Sequence, residues 1–394
     1  MAISRLSIGG GHLAIEHVKG DGKHTSHVQV GDIWRSIQGG DDWNGMVDPI
    51  NPLLKAEILR YGDFAQQCYD SFDNIYSSKY MEILSAAKVR WGVDWNCSEV
   101  GVVISGAWMG YIAVCTDPKE IKRLGRRDIV VAWRGTETPQ EWMQNMKDIL
   151  VPDSVRSSAR DIVVTEITRL LNEYKDEEDV SITFTGHSLG AALTTLSAYD
   201  IKQIIMKEND RKSIPVTVFA FASPRVGNLA FSQHLQEIGV KVVRLVNTWD
   251  VVPKVPGVFL NENMGRLTRF LHWLPWTYVR VGIPITLDSS SSPVLKQSYN
   301  PASFHNLEVY LHLLDGYQGY NKLPFKPSGR DPALVNKYSD LLIEKLQIPS
   351  KWWVRRNKEI VKRIDGLLVY SPTTPTHVPL TRRLLYMRPV IPIH

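Results

Sequence analysis

Cysteine is scarce in this chain, with three residues among 394: Cys68, Cys97 and Cys115. Three thiols cannot form the dense disulfide framework of a small secreted protein, and an odd number always leaves one over. The sequence is 43% hydrophobic and 22% charged, which is ordinary for a globular protein and supplies enough apolar material for a core. The cysteine count is therefore more typical of a reducing compartment.

Long apolar runs are also missing. Nowhere do about eighteen apolar residues follow one another, so the sequence predicts no membrane-spanning helix. Residues 1–20 are interrupted by Gly, His and Glu, which does not fit a signal peptide. Residues 1–30 hold a single Arg and include acids, which is untypical of a transit peptide. We therefore expect a cytoplasmic protein.

The net charge is small, at +5. A dedicated nucleic-acid binder would be expected to show a basic stripe, so nucleic acid is not an expected partner. The excess is concentrated in residues 351–394, which carry nine Lys or Arg against two acids. These patterns predict a flexible leader at 1–30, a folded domain at 31–350 and a basic tail at 351–394. The tail fits either an anionic lipid surface or a disordered end.

Strand and helix patterns alternate through the central part of the chain. An apolar stripe at helical spacing begins at Pro52 and continues to Cys68. Because strands that alternate with helices form βαβ units, we predict an α/β fold with a mainly parallel central sheet and helices on both faces. Strands are predicted at 111–115, 129–133, 180–185, 216–222 and 241–246, with helices at 158–178, after residue 186 and between the last two strands.

The motif Gly186-His-Ser188-Leu-Gly190 lies between a predicted strand and a predicted helix. In that setting the serine occupies a tight turn that projects its hydroxyl above the sheet. The two glycines allow the strand and the helix to approach closely. A serine hydroxyl needs a histidine base, and the base needs an acid that orients it. Ser188 is therefore the predicted nucleophile.

The acid should follow the serine in the chain and precede the histidine. Asp250 comes directly after the strand at 241–246, on a loop where such sheets place functional groups. Asp288 is a competitor that chain order alone leaves open. Asp200 and Asp210 lie on or just beyond the helix after Ser188 and are expected to face solvent.

The histidine base is expected after Asp250. His305 is favoured because it opens a helix after a loop, whereas His312, two turns later, fits a packing or surface role. His187, beside the nucleophile, is expected to be a structural hydrogen-bonding residue. The other candidates are His272, His377 and His394.

Two backbone donors are expected to bind the developing oxyanion. The first is the N–H of Leu189, directly after the nucleophile. The second is expected from Thr136, which follows the strand at 129–133 and offers both an N–H and a hydroxyl, while Gly135 permits the turn. No metal or cofactor is predicted.

Five ordered motifs together resemble the class 3 lipases, and more narrowly the cytosolic plant phospholipase A1 group. The resemblance covers roughly residues 30–350 and includes the opening segment 34–69. It implies the α/β-hydrolase fold, a triad of Ser188, Asp250 and His305, and metal-free hydrolysis of the sn-1 acyl ester of glycerophospholipids. The motifs are WRGT (133–136), GHSLGAAL (186–193), FASPRVGN (221–228), NTWDVVPKVPG (247–257) and HNLEVYLH (305–312).

Other functions stay open at this point. The segment 138–157 passes straight into a predicted helix, without the longer lid stretch of the family, which predicts a more open acyl groove or a poorly active form. Trp273 and Trp276 fit either an acyl groove and membrane-facing rim or ordinary core packing. The chemistry would also suit a galactolipid, monoacylglycerol or short-chain esterase. An alternative of another class is a lipase-like scaffold that binds without turnover.

Overall fold

The computed structural model describes residues 28–72, 107–135, 159–174, 179–207, 213–256, 278–297, 301–320 and 323–352. It also describes short strand segments at 6–9, 12–15, 95–96, 101–104, 360–362 and 368–370. In chain order the strands are β1 (Leu6–Gly9), β2 (His12–Ile15), β3 (Trp95–Asn96), β4 (Gly101–Ile104), β5 (Ala107–Cys115), β6 (Arg127–Trp133), β7 (Val180–His187), β8 (Val216–Phe221), β9 (Val240–Asn247), β10 (Ile283–Leu287), β11 (Ile360–Lys362) and β12 (Leu368–Tyr370).

The helices flank these strands and begin at residues that suit helix starts. Asn51 accepts hydrogen bonds from the N–H groups of Leu53 and Leu54, and Pro52 occupies the first helical position of the longest helix. The α-helices are α1 (Trp34–Ile37), α2 (Pro52–Phe72), α3 (Pro118–Leu124), α4 (Ala159–Tyr174), α5 (Leu189–Ile205), α6 (Leu229–Glu237), α7 (Pro301–Phe304) and α8 (Leu307–Gly316). Short 3₁₀ turns occupy Val30–Asp32, Val252–Lys254, Ser289–Ser291, Pro332–Asn336 and Glu344–Leu346.

The central sheet has the strand order β10-β9-β8-β7-β6-β5-β3, with β4 also paired to β5. All pairings from β6 to β10 are parallel. Every residue of β6, β7 and β8 is buried, as expected of parallel strands that are covered on both faces. The predicted α/β fold with a mainly parallel sheet is therefore confirmed.

One edge of the sheet departs from the parallel pattern. β5 runs antiparallel to β6, and β3 and β4 run antiparallel to β5. The connection from β5 to β6 contains only the seven-residue helix α3, capped by Asp117 and ended by Gly125 in a left-handed conformation. A parallel pairing would need a longer crossover back to the starting edge, so the chain returns in the opposite direction.

Two apolar layers cover the sheet. α2 and α8 pack on one face, where Ile58, Tyr61 and Tyr310 belong to a single buried cluster. α4, α5 and α6 lie on the other face, where Ile167 and Ala198 belong to a second cluster. The carboxyl ends of the parallel strands are left for loops, which is where sheets of this kind place functional groups.

The predicted elements agree closely with the described ones. The helix predicted at 158–178 is α4, and the strand predicted at 241–246 is β9, one residue longer at each end. Within the predicted leader, β1 and β2 pair as an antiparallel hairpin. The division into leader, domain and tail stays a prediction. No helix in the described part of the chain combines the length and apolarity that crossing a bilayer requires.

Candidate active site

Ser188 lies in the turn between β7 and α5. Its backbone has φ 59° and ψ −128°, a conformation that residues other than glycine rarely adopt. Its N–H donates to the carbonyl of Phe221 at 2.9 Å, which fixes the turn against β8. A strained turn of this kind costs about 1–3 kcal/mol and persists only where the surrounding packing enforces it. The strain holds the side chain at the carboxyl edge of the sheet.

Gly186 and Gly190 make that turn possible. A Cβ on Gly190 would lie 2.3 Å from the carbonyl oxygen of Trp133, and a Cβ on Gly186 would lie 2.6 Å from the backbone of Gly190. Both obstacles are backbone atoms, so a side chain could not be accommodated by a rotamer change. The spacing of the G-x-S-x-G motif therefore reflects close packing of β6, β7 and α5 around the serine.

His305 faces Ser188 from the segment just before α8. Its Nε2 lies 2.8 Å from the Ser188 Oγ, and its Nδ1 lies 2.7 Å from the Oδ2 of Asp250. The next residue, Asn306, caps α8 by accepting from the N–H groups of Glu308 and Val309. The helix start thus fixes the backbone that carries the imidazole.

Asp250 is completely buried, with 0% exposure, on the loop that follows β9. Besides His305, the N–H of Val252 donates to its Oδ1 at 2.9 Å and the hydroxyl of Tyr310 donates to its Oδ2 at 2.7 Å. Three donors converge on this carboxylate, so it acts as an acceptor for the Nδ1–H of His305. That arrangement leaves the Nε2 of His305 free to accept the Ser188 proton.

Tyr310 was not among the candidates from the sequence. Burial first, and then the neighbouring Asp250, raise its pKa well above the ordinary value, so its hydroxyl stays protonated and donates. Its oxygen accepts in turn from the N–H of Asn247 at 3.1 Å. The only signal in the sequence is its position within the motif that begins at His305.

A second tyrosine, Tyr69 on α2, connects the turn at Ser188 with the loop after β6. The N–H of Gly135 donates to its oxygen at 3.1 Å, and the hydroxyl lies 2.9 Å from the Nδ1 of His187. Burial, followed by the proximity of His305, lowers the pKa of His187 well below its ordinary value. His187 therefore stays neutral beside His305, which agrees with the structural role expected for it.

Of the two predicted oxyanion donors, Leu189 lies within the described residues and Thr136 does not. Leu189 is the first residue of α5, and the first N–H groups of a helix have no partner inside it. Its amide therefore lies beside Ser188 at the positive end of the helix dipole. Thr136, Trp273 and Trp276 lie outside the described residues, as does the predicted short lid segment. Their roles stay predictions.

The competing candidates lie away from the serine. Asp288 accepts from Ser290 and from the indole of Trp249, and Asp200 pairs with Arg160 at the surface. His312 is buried, bonded to Ser292 at 2.8 Å, and burial lowers its pKa to about 4. Asp210, His272, His377 and His394 lie outside the described residues.

The described residues hold no group of three or more His, Cys, Asp or Glu side chains placed to bind a metal ion. The sheet and the serine–histidine–aspartate arrangement define an α/β-hydrolase-fold protein with the site geometry that serine hydrolases use.

Comparison with known proteins narrows this class. The class 3 lipase family matches residues 130–260. The chain is 41% identical to phospholipase A1-Igamma2, chloroplastic, from Arabidopsis thaliana, over 88% of this chain and 77% of that protein. It is 35% identical to phospholipase A1-II 4 from Oryza sativa, over 87% and 95%. A solved structure of the Penicillium cyclopium protein MDLA is 21% identical over 63% of this chain and 83% of that one, with a TM-score of 0.40.

The chain therefore belongs to the class 3 lipase family, among the plant phospholipase A1 proteins. This confirms the resemblance that the sequence motifs indicated. The narrower assignment to the cytosolic group stays a prediction. A relative that is named chloroplastic and one that is not both match over most of the chain.

Proposed function

We propose that the protein is a phospholipase A1 that hydrolyses the sn-1 acyl ester of glycerophospholipids through an acyl-enzyme on Ser188. The observation that carries the proposal is the continuous hydrogen-bonded chain from Ser188 through His305 to the buried Asp250. The names of the relatives supply the substrate class, since phospholipase A1 proteins match over most of the chain.

In the first half of the reaction, the Ser188 Oγ attacks the ester carbonyl carbon while its proton passes to the Nε2 of His305. Asp250 accepts from the Nδ1–H of His305 and stabilises the imidazolium that forms. The Leu189 N–H, with Thr136 as its predicted partner, binds the oxyanion, and each such donor contributes roughly 3 kcal/mol to transition-state stabilisation. His305 then returns the proton to the leaving lysophospholipid oxygen.

In the second half, water attacks the acyl-enzyme carbonyl and gives up a proton to the same Nε2. The tetrahedral intermediate collapses, the free fatty acid leaves, and the Ser188 Oγ recovers its proton. His305 is 21% exposed at its side chain whereas Asp250 is 0% exposed, so water can reach the base while the acid stays dry.

Phosphatidylcholine labelled separately at its two acyl positions tests this function. We expect the protein to release only the sn-1 label and the Ser188→Ala variant, folded normally, to release neither. Release of the sn-2 label would contradict the proposed regiochemistry. Faster hydrolysis of galactolipid or monoacylglycerol in matched vesicles would contradict the proposed substrate class. If the parent protein hydrolyses none of these lipids, the result would favour a non-catalytic scaffold.

The same vesicles test peripheral contact with a lipid surface, which the proposal requires because the substrate resides in a membrane. The Ser188→Ala variant should sediment with the vesicles, since it can bind without degrading them. The predicted contact elements are Trp273, Trp276 and the basic tail at 351–394. Sedimentation that is independent of lipid would contradict surface binding.

The compartment is a separate proposal. The sequence pattern favours the cytoplasm, whereas several relatives are named chloroplastic at 36–41% identity. We expect the protein to fractionate with the cytosol of plant cells. Protection from added protease inside isolated chloroplasts would overturn that expectation and align it with the relatives named chloroplastic.

A further inference from the structure

The side chain of Tyr69 reaches from α2 to the first residues beyond β6. Ala65 of α2 is fully buried in the core cluster, and Tyr69, one helical turn later, packs against the same cluster. Its oxygen accepts from the N–H of Gly135 at 3.1 Å and lies 2.9 Å from the Nδ1 of His187. One hydroxyl group therefore contacts both the loop after β6 and the residue that precedes Ser188.

The contact with Gly135 begins where strand pairing ends. The N–H of Arg134 donates to the carbonyl of Met109 on β5 at 2.8 Å, so pairing with β5 holds the chain as far as Arg134. Gly135 comes next, and its N–H donates to the Tyr69 oxygen. Tyr69 thus extends the restraint on the backbone by one residue beyond the sheet.

Gly135 is packed closely against Ser188. A Cβ at position 135 would lie 2.4 Å from the Tyr69 oxygen, 2.6 Å from the carbonyl oxygen of His187 and 3.1 Å from the Cβ of Ser188. The contact with the His187 carbonyl is a backbone contact that no rotamer change relieves, so the position requires glycine. A glycine has few steric restrictions on its own backbone. The close fit is therefore combined with a backbone that needs an outside contact to keep one conformation.

We propose that Tyr69 is a positioning residue for the acyl transfer, a role that rests on the proposed function. Its hydroxyl holds the Gly135 backbone against Ser188 and so places the predicted oxyanion donor Thr136. Thr136 follows Gly135 directly, so the direction of its N–H depends on the Gly135 backbone. Donors stabilise an oxyanion best when they are aimed at its position before the reaction. A displacement of about 1 Å in such a group can cost about 10²-fold in rate.

His187 holds the same hydroxyl from the other side. It is 6% exposed, and its ring centroid lies 5.8 Å from that of Tyr69 and 4.7 Å from that of His305. A neutral imidazole has one nitrogen that donates and one that accepts, so either tautomer forms a hydrogen bond with the Tyr69 hydroxyl. Tyr69 is therefore fixed by a buried partner while it holds Gly135.

Tyr69→Phe tests the proposal, since it keeps the ring and removes only the hydroxyl. With a soluble ester such as p-nitrophenyl butyrate, we expect kcat to fall about 10- to 100-fold and KM to stay within about twofold. Phenylboronic acid adds to a serine Oγ and places an oxygen where the oxyanion forms, so its inhibition constant should rise by a comparable factor. Unchanged kcat and unchanged boronate affinity in the folded variant would overturn the proposal.

Tyr111→Phe is the matched control. Tyr111 on β5 is buried, and its hydroxyl donates to the carbonyl of Phe64 on the same helix α2 at 2.9 Å. This variant also removes one hydroxyl that joins α2 to its surroundings, but it should keep the parent kcat and boronate affinity. An equal loss of kcat in both variants would show a general loosening of α2 and would contradict a specific role for Tyr69.

Hydrogen exchange at the Gly135 amide keeps the proposal testable if Tyr69→Phe does not fold. In the parent protein this amide should exchange at least about tenfold more slowly than an exposed amide, because it donates to the Tyr69 oxygen. Exchange as fast as that of an exposed amide would refute the proposal. Ester hydrolysis that falls in Tyr69→Phe, without any phospholipid hydrolysis by the parent, would support the role of Tyr69 and contradict the phospholipid substrate. A parent protein that hydrolyses neither substrate would overturn the proposed function and this inference together.

Discussion

Replacing Asp250 with Asn is expected to lower kcat by about 10⁴-fold and to leave KM for the phospholipid nearly unchanged. KM should be insensitive because Asp250 is fully buried and reaches the substrate only through His305. The measurement is steady-state hydrolysis of a soluble ester and of phospholipid vesicles. Activity within about tenfold of the parent would contradict the role assigned to Asp250.

The large loss follows from the donors around this carboxylate. Oδ2 accepts from both His305 and Tyr310, and Oδ1 accepts from the N–H of Val252. An Asn side chain must direct its NH₂ group at one of these two positions. Directed at His305, it forces the imidazole to accept at Nδ1 and to carry its proton on Nε2, where it can no longer take the Ser188 proton. If the NH₂ group instead points at Val252, it faces the N–H of that residue, and two donors meet without an acceptor.

Tyr310→Phe is the matched comparison, since it removes one donor and keeps the carboxylate. We expect kcat to fall by only about tenfold. A purely structural role for Tyr310 would lower the unfolding midpoint and leave kcat unchanged.

The residues of the candidate site were predictable because each has a signal in a short stretch of sequence. A Cβ on Gly186 would meet the backbone of Gly190, and one on Gly190 would meet the backbone of Trp133, so both glycines appear in the motif around Ser188. Asp250 follows β9 directly, and chain order together with strand position favoured it over Asp288. The structure places Ser188 and Asp250 each within hydrogen-bond distance of His305.

The supporting residues were not predictable because their contacts depend on tertiary packing. Tyr69 meets His187 only because α2 crosses the carboxyl edge of the sheet, 118 residues away in sequence. The antiparallel pairing of β5 likewise depends on the length of a connection, which apolar periodicity does not record.

Replacing Asp128 with Asn is expected to lower the free energy of unfolding by about 3–5 kcal/mol. Asp128, on β6, is fully buried beneath α2. Each of its oxygens accepts from two donors. An amide NH₂ group in place of Oδ2 would oppose the guanidinium of Arg60, and one in place of Oδ1 would force the Ser181 and Thr183 hydroxyls to turn round. The donors are Arg60 at 3.0 Å, Tyr61 at 2.7 Å, Ser181 at 2.9 Å and Thr183 at 2.9 Å, with the guanidinium of Arg126 at 3.8 Å from Oδ2.

The control is Asp179→Asn, which removes an aspartate that pairs with Arg35 at 3.0 Å but is more than half exposed. Exposed ion pairs contribute about 0–1 kcal/mol to the free energy of unfolding, so the urea midpoint of Asp179→Asn should stay close to that of the parent protein. If both variants lose the same free energy of unfolding, burial of the Asp128 carboxylate does not determine how much it stabilises the fold.

The difference in unfolding free energy between the parent protein and Asp128→Asn should depend on pH, which supplies an independent check. Burial alone would raise the pKa of Asp128, but Arg126 and Arg60 hold it below the ordinary value of 3.8. A carboxylate with a depressed folded-state pKa stabilises the fold fully above its unfolded-state pKa, and that contribution is lost as the pH falls through the folded value. The gap in unfolding free energy between the parent and Asp128→Asn should therefore be constant above about pH 5 and narrow below 3.8. A gap that instead widened on acidification would mean that Asp128 is protonated in the folded protein.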